Sequence, residues 1–124
     1  LEPVLQEEGV GSVCFCPLAQ GLLTGKYLND IPADSRAASA SVFLRKEQIT
    51  DELRTKLRKL NDLAASRGQT LAQMALAWDL KDDLVTSVII GASSLEQLQS
   101  NLQAIKNTDF SQEELAAIDE IVKR

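Results

Sequence analysis

Two short apolar runs, kept far apart by sequence of helical periodicity, constrain the fold of this chain more than any other feature. Ser12-Val13-Cys14-Phe15-Cys16 lies between Gly11 and Pro17, and Leu84-Val85-Thr86-Ser87-Val88-Ile89-Ile90 ends at Gly91. Each is too short for a helix, so both read as strands. The first is apolar enough to predict a strand buried on both faces, as in parallel sheets. Strands joined through helices pair in parallel, and two such strands alone leave both sheet edges unprotected. Either this is an unusual small α/β domain, or the rest of the sheet lies on further chain; the second reading is favoured.

Helical signals fill the remainder. Residues 4–8 read as the end of a helix closed by Gly9. Leu53, Leu57, Leu60 and Ala64 share one face of a helix that Gly68 stops. Thr70 with Gln73 forms a capping-box pattern ahead of Leu71, Met74, Ala75 and Trp78 at core spacing. Ser94 with Gln97 caps a helix whose predicted core face is Leu95, Leu98, Leu102 and Ile105. Ser111 with Glu114 caps a last one carrying Leu115, Ile118 and Val122. Between Pro17 and the first long helix lies a glycine-punctuated loop, Gly21-Leu22-Leu23-Thr24-Gly25-Lys26-Tyr27. After it, residues 28–41 are rich in Asn, Asp, Pro, Ser and Ala, a long surface excursion of the kind that is functional or disordered. There is no internal repeat and no low-complexity segment.

Composition excludes several functions. A chain of 124 residues is normally one domain, and a net charge of −5 opposes nucleic-acid binding. Arg54, Lys56, Arg58 and Lys59 interleave with leucines and read as a solvated helix face. Cys14 and Cys16, without any histidine, make a poor metal site. They read as small buried hydrophobes in a reducing compartment, with no disulfide between them. No run of 18 apolar residues and no basic leader is present, so the expectation is a cytoplasmic protein without membrane insertion. The absence of histidine removes the commonest acid/base at neutral pH. The chain opens on Leu1-Glu2-Pro3, without methionine and already helical in pattern, and is read as a segment of something longer.

Two blocks then carry a resemblance. Phe15-Cys16-Pro17-Leu18-Ala19-Gln20-Gly21-Leu22-Leu23-Thr24-Gly25-Lys26-Tyr27 closely resembles the seventh barrel strand and following loop of aldo-keto reductases, in the branch that includes potassium-channel beta subunits and their bacterial relatives. Ser87-Val88-Ile89-Ile90-Gly91-Ala92-Ser93, followed by Glu96-Gln97-Leu98 and Asn101, resembles the eighth strand and its helix. The intervening Ala75-Leu76-Ala77-Trp78 fits as well. The resemblance covers essentially the whole chain. It implies an α/β fold, the C-terminal portion of a (β/α)8 TIM barrel of about 250 residues or more, with two parallel strands and surrounding helices in this segment. Residues 1–124 would then be the C-terminal part of a single barrel domain whose N-terminal part is missing here.

The same resemblance implies NADP(H) as cofactor and a small carbonyl compound as substrate. Phe15 matches the aromatic that stacks on the nicotinamide, against the plainer reading of a core Phe at a strand end. Cys16 stands where Ser or Thr is more usual, which softens a polar contact near the ring. Pro17, Leu18, Ala19 and Gly21 match loop positions that approach the pyrophosphate, where glycine permits close backbone approach. Lys26 and Arg36 match cationic positions that pair with phosphates. Gly91, Ser93, Gln97 and Asn101 match the group holding the adenosine and its 2′-phosphate at a helix N-terminus. Ser-x-x-Gln is equally a plain capping box. Asn101 in mid-helix has no propensity reason to be there, which favours a role. Ser100 stands where many members of the family carry a glutamate that grips the adenine or ribose, a departure from the family's pattern.

Catalytic residues are not expected in this segment. The family's tyrosine acid, its supporting lysine and aspartate, and the histidine or asparagine that orients the carbonyl belong to the first half of the barrel. Tyr27 and Lys26 do not match them. Residues 28–44 are read as bordering the substrate entrance, with Val42, Phe43 and Leu44 as apolar candidates. Three functions compete: an oxidoreductase reducing aldehydes or ketones, a nicotinamide-binding regulatory subunit with little turnover, and a helical interaction module without a cofactor. A homo-oligomer is left open.

Overall fold

The computed structural model describes residues 1–25, 28 and 49–123. Lys26, Tyr27, Arg36, Val42, Phe43, Leu44 and, apart from Leu28, the excursion they belong to lie outside the described residues.

Among the described residues the sheet has two strands, β1 (Val13–Phe15) and β2 (Ser87–Ile89), which run parallel. Val13 pairs with Ser87, Cys14 with Val88 and Phe15 with Ile89. Ser12 fixes that register. Its carbonyl accepts from Thr86 N–H at 2.8 Å, its own N–H donates to Thr86 Oγ1 at 3.0 Å, and its hydroxyl donates to the Leu84 carbonyl at 2.5 Å. Both strands are shorter than the apolar runs, because Pro17 and a left-handed Cys16 (φ 54°) end the first. Burial on both faces does not occur. Paired residues of parallel strands point to the same side, so Val13, Phe15 and Ile89 share one face, and all three are exposed. On the other face Cys14 and Val88 are half-buried. Cys14 and Cys16 are therefore not the buried pair expected: Cys16 lies beyond the strand end and is exposed, and no disulfide joins them.

The core is helical instead. It is built from Leu57, Leu60 and Ala64 of α2 (Asp51–Ser66), Leu71 and Met74 of α3 (Leu71–Asp79), and Ile118 of α5 (Gln112–Val122), with Leu23, Leu28 and Phe110 packed against it. Each fully buried leucine contributes about 2 kcal/mol. The ends of these helices are chemically marked. Thr50 Oγ1 accepts from Leu53 N–H, and Thr70–Gln73 and Ser111–Glu114 form complete capping boxes. Gly68 (φ 71°) takes the left-handed position that ends α2. The short α1 (Glu2–Glu8) closes on a left-handed Gly9.

Several predicted core positions fall elsewhere. Trp78 is 36% exposed and lies under Lys81, whose ammonium is 3.9 Å from the ring centroid; Leu76 and Ala77 are buried in its place. Val122 is exposed, and Ile121 packs on the core. The predicted face of α4 (Leu95–Leu102) and the 3-10 turn Gln103–Lys106 is reversed: Leu95, Leu98, Leu102 and Ile105 are exposed, while Asn101 and Ala104 are buried. α4 and that turn pack on α3 through their small and polar side. The basic face of α2 is only partly solvated. Arg54 and Lys56 are half-buried, Arg58 Nε donates to the Leu28 carbonyl, and Lys56 Nζ donates to the Lys123 carbonyl.

One side chain joins the α2–α3 turn to the segment between α4 and α5 and to the first turn of α5. Arg67, 3% exposed, donates to Glu114 Oε2 and the Asp109 carbonyl at 2.8 Å, to Gln69 Oε1 at 2.9 Å and to the Asn107 carbonyl at 3.2 Å. Its guanidinium lies 3.7 Å from the centroid of Phe110. Among the described residues no helix is long and apolar enough to cross a membrane.

Candidate functional site

Because β1 and β2 are adjacent and parallel, the loops that follow them leave the sheet at the same, carboxyl end. In α/β sheets that end is where ligands collect, because helix N-termini and loop backbone converge there. Of the two blocks singled out in the sequence, residues 15–27 begin at the carboxyl end of β1, and residues 87–101 run through β2 and continue from its carboxyl end.

On the first loop, Phe15 is the last residue of β1 and is 77% exposed, so it is not a core phenylalanine of this chain. Cys16 (φ 54°) and Ala19 (φ 50°) both hold left-handed backbone, which costs a non-glycine residue on the order of 1 kcal/mol. Between them Pro17 and Leu18 form a turn closed by Ala19 N–H donating to the Cys16 carbonyl at 3.2 Å. A 3-10 helix follows over Ala19–Thr24 and packs on α3. Gly21, at φ 97°, requires glycine for its own backbone. Gly21 N–H donates to the Leu18 carbonyl at 3.0 Å, and the Thr24 hydroxyl donates to the Gly21 carbonyl at 2.6 Å. Backbone strain of this kind persists only where the surrounding bonds hold it, as they do in this loop.

On the second loop, Gly91 and Ser93 are exposed, and a Cβ built at Gly91 would meet nothing within 4 Å. Packing among the described residues thus gives no reason for that glycine. Ser94 is the N-cap of α4, its Oγ accepting from Gln97 N–H at 3.1 Å. Gln97 does not complete the capping box. Its Oε1 accepts from Ser93 N–H at 2.7 Å and from the Ser93 hydroxyl at 3.1 Å. Ser93 and Gln97 are therefore brought together at the start of α4. Asn101, one turn further along, is 5% exposed, and its Nδ2 is buried without a hydrogen-bond partner among the described residues. A buried amide donor left unmatched costs about 1–3 kcal/mol, so a helix carries one only under some other constraint. Polar side chains lie at both ends of α4, and sequence reasoning passed over one of them: Gln73 Nε2 donates to the Ser100 carbonyl at 2.7 Å. The Thr70–Gln73 pattern gave only the capping half of that amide.

Titration is perturbed away from these loops. Backbone donation from Ser111 and then the Arg67 guanidinium hold the Glu114 carboxyl below the usual range, whereas burial raises that of Asp79, partly offset by Lys81. Among the described residues no three His, Cys, Asp or Glu side chains converge where they could hold a metal ion. Among the described residues the two loops bring together one exposed ring, small loop residues and the bonded polar pair Ser93–Gln97.

Comparison with known proteins gives the same direction. The sequence profile of the Aldo/keto reductase family matches residues 1–123. An L-glyceraldehyde 3-phosphate reductase of Escherichia coli (strain K12) is 56% identical over 119 residues, which is 94% of this chain and 34% of that protein. A putative voltage-gated potassium channel subunit beta of Schizosaccharomyces pombe is 39% identical over 126 residues, 98% of this chain and 37% of that protein. The chain spans about a third of the length of the curated relatives it matches. With its match over residues 1–123, its two parallel strands and the helices that join them, the chain belongs to the aldo/keto reductase family, and its α/β fold is part of that family's barrel.

Proposed function

We propose that residues 1–124 form the C-terminal part of a single barrel domain, and that the complete protein is a cytoplasmic, NADP(H)-dependent oxidoreductase reducing aldehydes or ketones to alcohols. The observation that carries this reading is the emergence of both predicted cofactor loops at the same end of two paired parallel strands. The domain reading is supported by the exposed faces of the strands and of α4, which further strands and helices of a barrel would cover.

The residues fit a dinucleotide. Phe15, exposed at the strand end, would stack on the nicotinamide ring, with Cys16 beside it. Pro17, Leu18, Ala19 and Gly21 would line the pyrophosphate. Gly91, Ser93, Gln97 and the unmatched donor of Asn101 would take the adenosine end, and Lys26 and Arg36 would pair with phosphates. Bound NADPH supplies hydride for the carbonyl carbon. The role of this segment is to hold and orient; the acid that protonates the carbonyl oxygen belongs to the rest of the domain.

L-glyceraldehyde 3-phosphate, the aldehyde in the name of the E. coli relative, is the first substrate to try. A second reading, a nicotinamide-binding regulatory subunit with little turnover, has the S. pombe similarity behind it. The test is a titration of the complete protein with NADPH and NADH, followed by turnover with L-glyceraldehyde 3-phosphate. Tighter binding of NADPH, weakened in Arg36→Ala, with consumption of NADPH on adding the aldehyde, is the expected result. Equal affinity for both cofactors would refute the 2′-phosphate assignment. NADPH binding without turnover on any small carbonyl compound would select the regulatory reading.

A further inference from the structure

The amide of Gln73 closes two helices at once. At the start of α3 its Oε1 accepts from Thr70 N–H at 3.0 Å, while Gln73 N–H donates to Thr70 Oγ1 at 3.1 Å. The other half of the same amide leaves the helix: Nε2 donates to the Ser100 carbonyl at 2.7 Å and lies 3.4 Å from Ser100 Oγ. Ser100 is in the last turn of α4, next to Asn101, the buried residue of that helix. Because an amide presents its donor and acceptor on opposite sides, Gln73 can serve both helices only in one orientation. We propose that Gln73 is a positioning residue for the adenosine end of the cofactor site: it fixes Ser100, and through Ser100 the rotation and depth at which α4 presents Ser93, Gln97 and Asn101.

The packing of α4 is what gives this bond its leverage. Within the described residues α4 is seated on α3 through Asn101, its buried residue, beside the Ser100 carbonyl that Gln73 holds; its leucines face the side that the remainder of the domain would cover. A slip of one residue turns a helix by about 100° and would carry Asn101 away from α3. The bond to Ser100 resists that slip at the end of α4 opposite the Ser93–Gln97 pair. The inference rests on the cofactor reading of α4 given above.

Gln73→Glu separates the two roles. Glutamate at this position of a capping box accepts from the N-cap N–H as glutamine does, so α3 keeps its start while the donor to Ser100 is lost. Gln73→Ala removes the donor without adding charge near an anion site. In the complete protein three quantities are measured: melting temperature, the Kd of 2′,5′-ADP by calorimetry, and kcat and KM for NADPH. For Gln73→Glu a melting temperature close to wild type is expected. In both variants 2′,5′-ADP should bind about fivefold more weakly, and KM for NADPH should rise by a similar factor with kcat unchanged. A merely structural role would lower the melting temperature and leave the Kd of folded protein alone. Wild-type protein that binds 2′,5′-ADP, with both variants within about twofold of it, overturns the positioning role and leaves the cofactor reading standing. Weakening in the glutamate variant alone also overturns it, since added charge then explains the effect. Wild-type protein that does not bind 2′,5′-ADP overturns both.

Discussion

Replacing Arg67 by alanine tests how this helical layer is held together. The side chain is 3% exposed, and the substitution removes four hydrogen bonds, to Gln69, Asp109, Glu114 and Asn107, together with the contact on Phe110. Breaking a buried charged pair by removing one partner costs about 3–5 kcal/mol. Here the lower end applies, for three structural reasons. The Asn107 carbonyl still accepts from Gln69 Nε2 at 3.0 Å. The Glu114 carboxylate still accepts from Ser111 N–H at 2.9 Å and is 26% exposed, so water reaches it. The bond to the Asp109 carbonyl lies at the surface. Arg67→Ala should therefore cost about 3 kcal/mol. Arg67→Lys keeps the charge but cannot reach acceptors in so many directions, and should cost about 2 kcal/mol.

Urea unfolding followed by circular dichroism measures this, provided the slope m stays at its wild-type value. Combining Arg67→Ala with Glu114→Gln closes a double-mutant cycle, where a coupling of roughly 1–2 kcal/mol is expected. A loss below about 1 kcal/mol for Arg67→Ala, or no coupling in the cycle, would show that the fork is solvated like an ordinary surface pair. The claim that Arg67 ties the α2–α3 turn to the α4–α5 loop would then fall.

Three further outcomes follow from the same structure. Glu114 titrates below its usual range, so its interactions stabilise the fold at neutral pH and that contribution is lost as pH falls through the ordinary glutamate range to the lower folded value. Glu114→Gln should flatten this acid-side loss in a series of urea midpoints against pH. Asp79 has the opposite sign: burial raises its carboxyl pKa and it sits at the carboxyl end of α3, where negative charge opposes the helix dipole. Asp79→Asn should raise the urea midpoint at neutral pH, with the gain shrinking as pH falls into the range where aspartic acid protonates. Gly11→Ala would place a Cβ 2.9 Å from Thr86 Oγ1, the atom that accepts from Ser12 N–H. It should cost about 1–3 kcal/mol in the same assay, and Thr86→Ala in the same molecule should recover part of it.

Helix ends were legible in the sequence because capping chemistry is local. Thr70–Gln73 and Ser111–Glu114 close as their spacing predicts, and glycines at 9 and 68 sit in the left-handed positions that end their helices. The same signature at Ser94–Gln97 gave a different bond, since Ser93 offers a hydroxyl and an N–H that compete for Gln97 Oε1. Parallel pairing of the strands was legible from the helices between them. The site was legible only as two blocks of resemblance. That they share one end of the sheet is a property of the pairing, and the bond from Gln73 to Ser100 spans 27 residues of sequence that no local pattern reads.

Periodicity failed in one consistent way. It states which residues share a face and leaves open which face is covered. The leucines of α4 were grouped on one face and assigned to a core, and the first strand was read as buried on both faces; the leucines stand exposed, as do Val13 and Phe15, while Cys14 is half-buried. The helices whose apolar faces are covered, α2, α3 and α5, cover one another, so their core closes within the chain. The exposed groups are the two strands and the helix that follows β2, and in a barrel these are the elements whose burial depends on neighbouring strands and helices. Errors scattered at random would have fallen on the long helices as well, yet there they amount to single positions such as Trp78 and Val122. The misassigned faces thus coincide with the surfaces that the proposed remainder of the domain would cover, and the same open strand ends carry the loops proposed to hold the cofactor.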